Sequence, residues 1–154
     1  ATDHCPFTIE EKQAHVADFR GCPGGVSGVE ERLPLLFSEG VQKGHLSLKR
    51  FVQVTSTNAA KIFGLYPKKG TLLPGSDADI VIIDPSQQRT IGKDNLHTTC
   101  GYSPYEGMTT DCTISHVFLR GQLIAKNNVF LGQKGDGQLL RRKRTVPYED
   151  IIRS

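Results

Sequence analysis

The residues best suited to chemistry stand near the first position of this 154-residue chain, in Thr2-Asp3-His4-Cys5-Pro6-Phe7. An aspartate can ligate a metal, act as a general base, or do both. If residues 2–7 form a strand, adjacent side chains point to opposite faces. Asp3 and His4 would then enter one site only where the strand ends between them. An ordinary capping or surface carboxylate is the competing reading of Asp3, and the residue pattern leaves both open. Other chemistries find no support. The five histidines, at 4, 15, 45, 97 and 116, include neither His-x-His nor His-Glu-x-x-His. A catalytic zinc with three protein ligands would therefore need long-range convergence. The nucleophile elbow Gly-x-Ser-x-Gly and the phosphate loop are both absent. The run 132–137 is glycine-rich but is not placed between a strand and a helix, so it reads as a tail loop. Ser76-Asp77-Ala78-Asp79 reads as the entry to a strand rather than as an acid/base pair.

The elements that must position these groups divide by type. Residues 8–28 are polar and then glycine-rich, and read as a loop of the long kind that often carries function. Apolar residues at helical spacing predict a helix over 29–39, stopped by Gly40. Ser47 predicts the cap of a second helix through Val54, and Thr57 or Asn58 the cap of a third, closed by Gly64. Beyond Pro67 the periodicity changes. Ile80–Ile83 reads as a buried strand, 86–112 as irregular. Residues 114–125 read as a hairpin turning at Gly121-Gln122, and Asn127-Asn128 as a further turn before Val129–Leu131. Helices first and strands second imply an α+β arrangement or pieces of two domains.

Composition narrows the function classes. Hydrophobic residues are 37%, charged residues 23%, and the net charge is +3. Those values exclude disordered, collagenous and coiled-coil classes. No apolar run is long enough to span a membrane. The basic run 141–144 has no interleaved aromatic residues, so nucleic acid is not expected as a partner. Cys5, Cys22, Cys100 and Cys112 form no Cys-x-x-Cys, and read as reduced thiols of a cytoplasmic protein. The chain opens without an initiator methionine, which reads as processing or as a start within a larger fold.

Several of these segments together resemble the hydantoinases and dihydropyrimidinases of the metal-dependent amidohydrolase superfamily. They are Thr2–Phe7, the run from Gly28 to Leu36, Ser38–Val41, and Phe51–Pro67 with its Thr-Ser-Thr-Asn-Ala-Ala-Lys block. Lys69-Gly70, Gly75–Pro85 and Tyr105–Met108 continue the likeness. It is weaker over 8–26 and the tail.

The resemblance implies a fold: an α+β piece of a (β/α)8 TIM-barrel amidohydrolase. Residues 1–66 would be the last barrel strand and helices, 67–135 the C-terminal β-sandwich strands, and 136–154 a tail at an oligomer contact, including Val146-Pro147-Tyr148. It also implies an activity, ring-opening hydrolysis of a cyclic amide by a hydroxide shared between two metal ions, commonly zinc. By that likeness Asp3 is both a metal ligand and the proton shuttle, and Gly24 contacts the substrate through its main chain. At the position of Gly24 the family carries Asn. His4 and Cys5 match the motif without a direct metal role. The carboxylated lysine and the histidine ligands of the family lie in a region absent from this chain. The chain alone is therefore expected to be inactive, and the complete protein to be a homotetramer or dimer. Two alternatives stand beside this reading: a non-catalytic dihydropyrimidinase-related interaction protein, and a free-standing β-sandwich binding module.

Overall fold

A computed structural model describes residues 2–142. The structure opens with an extended segment, then helices up to Ile62, then strands from Ile80.

The segment 2–7 is extended, but among the described residues its strand pairing is limited to the parallel bridge of His4 with Val26. A strand needs neighbours to complete its ladder, and here it meets one short edge. Residues 8–28, expected as a loop, contain a short helix α1, Ile9–Gln13. A reciprocal capping box nucleates it. The Glu11 amide donates to Thr8 Oγ1 at 3.2 Å and the Thr8 amide to Glu11 Oε2 at 2.6 Å. This T-x-x-E signature is readable from sequence. A 3-10 turn, Phe19–Gly21, follows, started by Asp18.

The helix expected over 29–39 begins later and runs further. Helix α2, Arg32–Leu35, continues as a π-helical stretch, Leu36–Gln42. Gly40 does not stop it; Gly40 is buried inside the stretch, where a Cβ would lie 2.8 Å from Leu46 Cδ1. Close packing, not chain termination, explains that glycine.

Ser47 caps helix α3, Leu48–Val52, by accepting the Arg50 amide at 3.2 Å. A π stretch, Gln53–Thr57, then carries α3 directly into α4, Asn58–Ile62. The expected break at Thr57 is therefore missing. Its hydroxyl donates to the Gly70 carbonyl at 2.7 Å, so it serves a tertiary contact instead of a cap. Gly64 does close the helix. Its φ is 67°, and the Leu65 amide returns to the Ala60 carbonyl at 2.8 Å, the left-handed ending expected of glycine.

Among the described residues four antiparallel strands form the main sheet, in the order β1, β4, β5, β6. They are β1 Ile80–Asp84, β4 Thr113–Leu119, β5 Gln122–Lys126 and β6 Val129–Phe130. Two further short strands, β2 Arg89–Thr90 and β3 Thr109–Thr110, pair with each other. Both hairpin turns are two-residue turns with positive φ at each central residue: Arg120 48° and Gly121 83°, Asn127 47° and Asn128 66°. Such turns match the twist of the flanking strands. The first turn is shifted by one residue from expectation, since Gln122 pairs with Leu119. Two bonds hold Arg120 in its left-handed conformation: its own amide donates to Asp79 Oδ1 at 2.8 Å and the Gly121 amide to the Ala78 carbonyl at 2.9 Å.

The expectation of a buried β1 is corrected. Val81 is 45% exposed and Ile82 44%. β1 is an edge strand with one partner among the described strands, and no described element covers it at those two positions. The apolar core is correspondingly thin and centres on Phe51, Ala60, Ile91, Cys100 and Cys112, with Phe37 edge-on to Phe51 at 5.5 Å between ring centroids. All four cysteines are free thiols. Among the described residues no helix is long and apolar enough to cross a membrane. Arg141 and Arg142 are exposed, whereas Lys143, Arg144 and Val146-Pro147-Tyr148 lie outside the described residues.

Ser38 joins the helical part to the strands. It is fully buried, and its Oγ accepts the Asp111 amide at 2.8 Å and touches Cys112 Sγ at 3.7 Å. Ser38→Ala strands that amide, and an unmet buried donor costs about 1–3 kcal/mol. Urea unfolding of the variant is expected to show a loss of that size, and a change below about 0.5 kcal/mol would mean Asp111 finds another partner.

The acidic pair at the strand entry is structural, as expected. Lys69 bridges Asp77, at 2.9 Å, and Asp79. The hydrogen bond from Lys69 holds the Asp77 carboxyl below the usual carboxylate range, against the opposing effect of burial. A lowered native pKa adds stability above the unfolded value near pH 4, and that stability is lost as pH falls through the native value. Urea midpoints measured from pH 7 downward should therefore fall on acidification. Lys69→Met should flatten that fall, and an unchanged acid slope would show that the bridge contributes nothing.

Candidate functional site

Asp3 lies at the exposed end of the first extended segment, with φ at 46°. Aspartate is one of the few residues that tolerate this left-handed conformation. Immediately after it, the chain docks on the loop 24–29. The Cys5 amide donates to the Val26 carbonyl at 3.0 Å. His4 Nδ1 accepts the amides of Gly28 and Val29, at 3.2 and 3.4 Å. The segment bearing Asp3 and the loop bearing Gly24 are thus brought side by side.

Gly24 is exposed, and a Cβ there would meet nothing within 4 Å. Gly25 is different. Its φ is 118°, and a Cβ would lie 2.4 Å from Cys5 Cβ. That close approach lets the loop lie flat against the Asp3 segment. The Pro23 carbonyl, one residue before Gly24, accepts Lys12 Nζ at 3.0 Å, which ties the loop to helix α1.

Beneath the loop is a buried polar layer that sequence reasoning missed. Ser27 is 2% exposed and Glu31 3%. Glu31 Oε1 accepts the Ser103 hydroxyl at 2.8 Å, across 72 residues of chain. Glu30 accepts the His97 amide at 2.9 Å and faces its ring Nδ1 at 3.1 Å. Nothing in local sequence marks Ser103 or His97 as partners of a segment so far away. Cys100 packs in the same layer. Burial opposes ionisation of its thiol, but hydrogen bonds from Thr98 and its neighbours outweigh that and lower its pKa.

Among the described residues no group of three or more His, Cys, Asp or Glu side chains could hold a metal ion. Asp3 contributes one carboxylate, and the Nδ1 of its neighbour His4 is already occupied by two backbone amides. These residues by themselves do not fit a metal centre. What the arrangement offers is one solvent-accessible carboxylate beside a glycine loop with an open main chain.

Comparison with known proteins places this geometry in a family. The model of the amidohydrolase family matches residues 1–124. D-phenylhydantoinase of Escherichia coli O1:K1 is 49% identical over 148 residues, covering 96% of this chain and 32% of that protein. The crystal structure of dihydropyrimidinase from Brevibacillus agri NCHU1002 superposes with a TM-score of 0.91 at 43% identity, over 94% of this chain and 32% of that one. The D-hydantoinase (dihydropyrimidinase) from Thermus sp. gives 0.89 at 44% identity, over 92% and 31%. The chain thus spans about a third of the length of these relatives. With the match running through the Asp3 segment, the glycine loop, the helices and the first hairpin, this chain belongs to the amidohydrolase family.

Proposed function

We propose that this chain is the C-terminal third of a hydrolase that opens cyclic amide rings, dihydropyrimidines or 5-substituted hydantoins, to N-carbamoyl amino acids. The observation that carries the reading is the exposed Asp3, set beside an open glycine loop in a chain that matches a D-phenylhydantoinase over 96% of its length. On this reading residues 1–66 complete a (β/α)8 barrel, 67–135 belong to a β-sandwich and 136–154 form a tail at a subunit contact. Asp3 moves the proton that the leaving nitrogen requires, and it would serve as one ligand to a metal, zinc in the first instance, together with ligands outside this chain. The Gly24 main chain contacts the substrate amide. The complete protein is a cytoplasmic homo-oligomer, tetramer or dimer, that binds neither nucleic acid nor membrane.

The test joins this chain to the N-terminal two-thirds of a D-phenylhydantoinase. The fusion is expected to open a hydantoin or dihydropyrimidine ring, with the loss of ring absorbance as readout. The 154 residues alone are expected to show no rate above the uncatalysed one. A fusion that folds and assembles but leaves every ring closed would favour the non-catalytic relative. Activity from the 154 residues alone would overturn the dependence on residues outside the chain.

A further inference from the structure

Among the described residues, His4 is the imidazole bound to the loop beside Asp3. Its Nδ1 accepts two consecutive backbone amides, Gly28 at 3.2 Å and Val29 at 3.4 Å. An imidazole nitrogen that accepts must be unprotonated, so the ring proton stands on Nε2. The two amides belong to a platform fixed from beneath. The Arg32 amide donates to the Gly28 carbonyl at 3.1 Å, and buried Glu31 is held by Ser103 at 2.8 Å. On the other side of His4 stands Asp3, in the left-handed conformation that aspartate tolerates. The Cys5 amide, bonded to Val26 at 3.0 Å, secures the chain just beyond.

We propose that His4 is a positioning residue: by clamping onto the Gly28 and Val29 amides it fixes the turn at Asp3, and so sets where the Asp3 carboxylate stands relative to the 24–29 loop. Its kinetic consequence rests on the cyclic-amidase reading; the clamp itself does not.

The tests are accordingly separate. In the 154-residue chain, nitrogen NMR of the ring is expected to show Nδ1 unprotonated and coupled through the hydrogen bond to the Gly28 amide. His4→Leu should speed hydrogen exchange at Gly28 and Val29 at least about tenfold, the scale on which losing one modest hydrogen bond is read. His4→Asn should restore protection, because its Oδ1 can accept the same amides. In the fused enzyme, His4→Leu should lower kcat by about 10²-fold with KM nearly unchanged, as small misplacements of a reacting group do. His4→Asn should recover most of that loss. A protonated Nδ1, or unchanged amide exchange in His4→Leu, overturns the clamp. Faster exchange with an unaltered kcat overturns the positioning role. An inert fusion in which the NMR signature is intact removes the amidase reading and leaves the clamp standing.

Discussion

Asp3→Asn in the fused enzyme is expected to lower kcat by about 10²–10⁴-fold, the usual contribution of a positioned proton-transfer group. The substitution isolates chemistry from folding. Asp3 has φ at 46°, and asparagine shares with aspartate the tolerance for that conformation. Its side chain keeps the shape of the carboxylate but does not take up a proton at neutral pH. Asp3 is exposed, so no buried partner is orphaned by the change. Unfolding midpoints of the 154-residue chain should therefore match between the parent and the Asp3→Asn variant, while the rates of ring opening diverge. Asp3→Ala provides the contrast. It removes the carboxylate and the left-handed tolerance together, and is expected to add a stability loss of about 1 kcal/mol. If Asp3→Asn retains activity within about tenfold of the parent, the carboxylate does not carry the proton transfer.

Gly25→Ala is expected to be the most damaging single change in the loop. Two independent penalties meet there. The φ of 118° is hostile to any side chain, and the new Cβ would stand 2.4 Å from Cys5 Cβ. Enforced backbone strain costs about 1–3 kcal/mol and overpacking a similar amount. Urea unfolding should show a loss of about 2–6 kcal/mol, or the loop should detach, with exchange of the Cys5 amide exposing the break. A double-mutant cycle separates the two terms. Cys5→Gly combined with Gly25→Ala removes the clash but keeps the strain, and should recover about half of the loss. Gly24→Ala is the internal control, since its Cβ would meet nothing within 4 Å. It should stay within about 0.5 kcal/mol of the parent. Equal effects at 24 and 25 would show that the loop does not lie against Cys5 as described.

Short-range sequence was enough for the parts whose hydrogen bonds close within a few residues. Ser47 caps the amide of Arg50 three positions on, Gly64 ends its helix through local backbone bonds, and Asn127-Asn128 reverse the chain between strands, whereas the other hairpin turn falls one residue earlier than expected, at 120–121, where Asp79 holds the Arg120 amide from 41 residues away. Thr8 with Glu11 is equally local, yet residues 8–28 read as a loop because the helix it caps is only five residues long. Asp3 stands out as a chemically loaded residue in a recognisable short motif.

How these parts meet was settled by packing across the chain. The two amides on His4 come from 24 and 25 residues away, Ser103 reaches Glu31 across 72, and Cys112 reaches Ser38 across 74. Polar side chains at such separations carry no local periodicity, because their partners are chosen by packing. The same cause explains the misread elements. Gly40 has the look of a helix stop and Thr57 that of a cap, yet Gly40 is needed small against Leu46, and Thr57 sends its hydroxyl to Gly70. β1 has the composition of a buried strand but lies at the edge of the described sheet, with Val81 and Ile82 uncovered by any described element. Whether an apolar run is buried depends on what packs over it, and that is a property of the assembled chain rather than of the run.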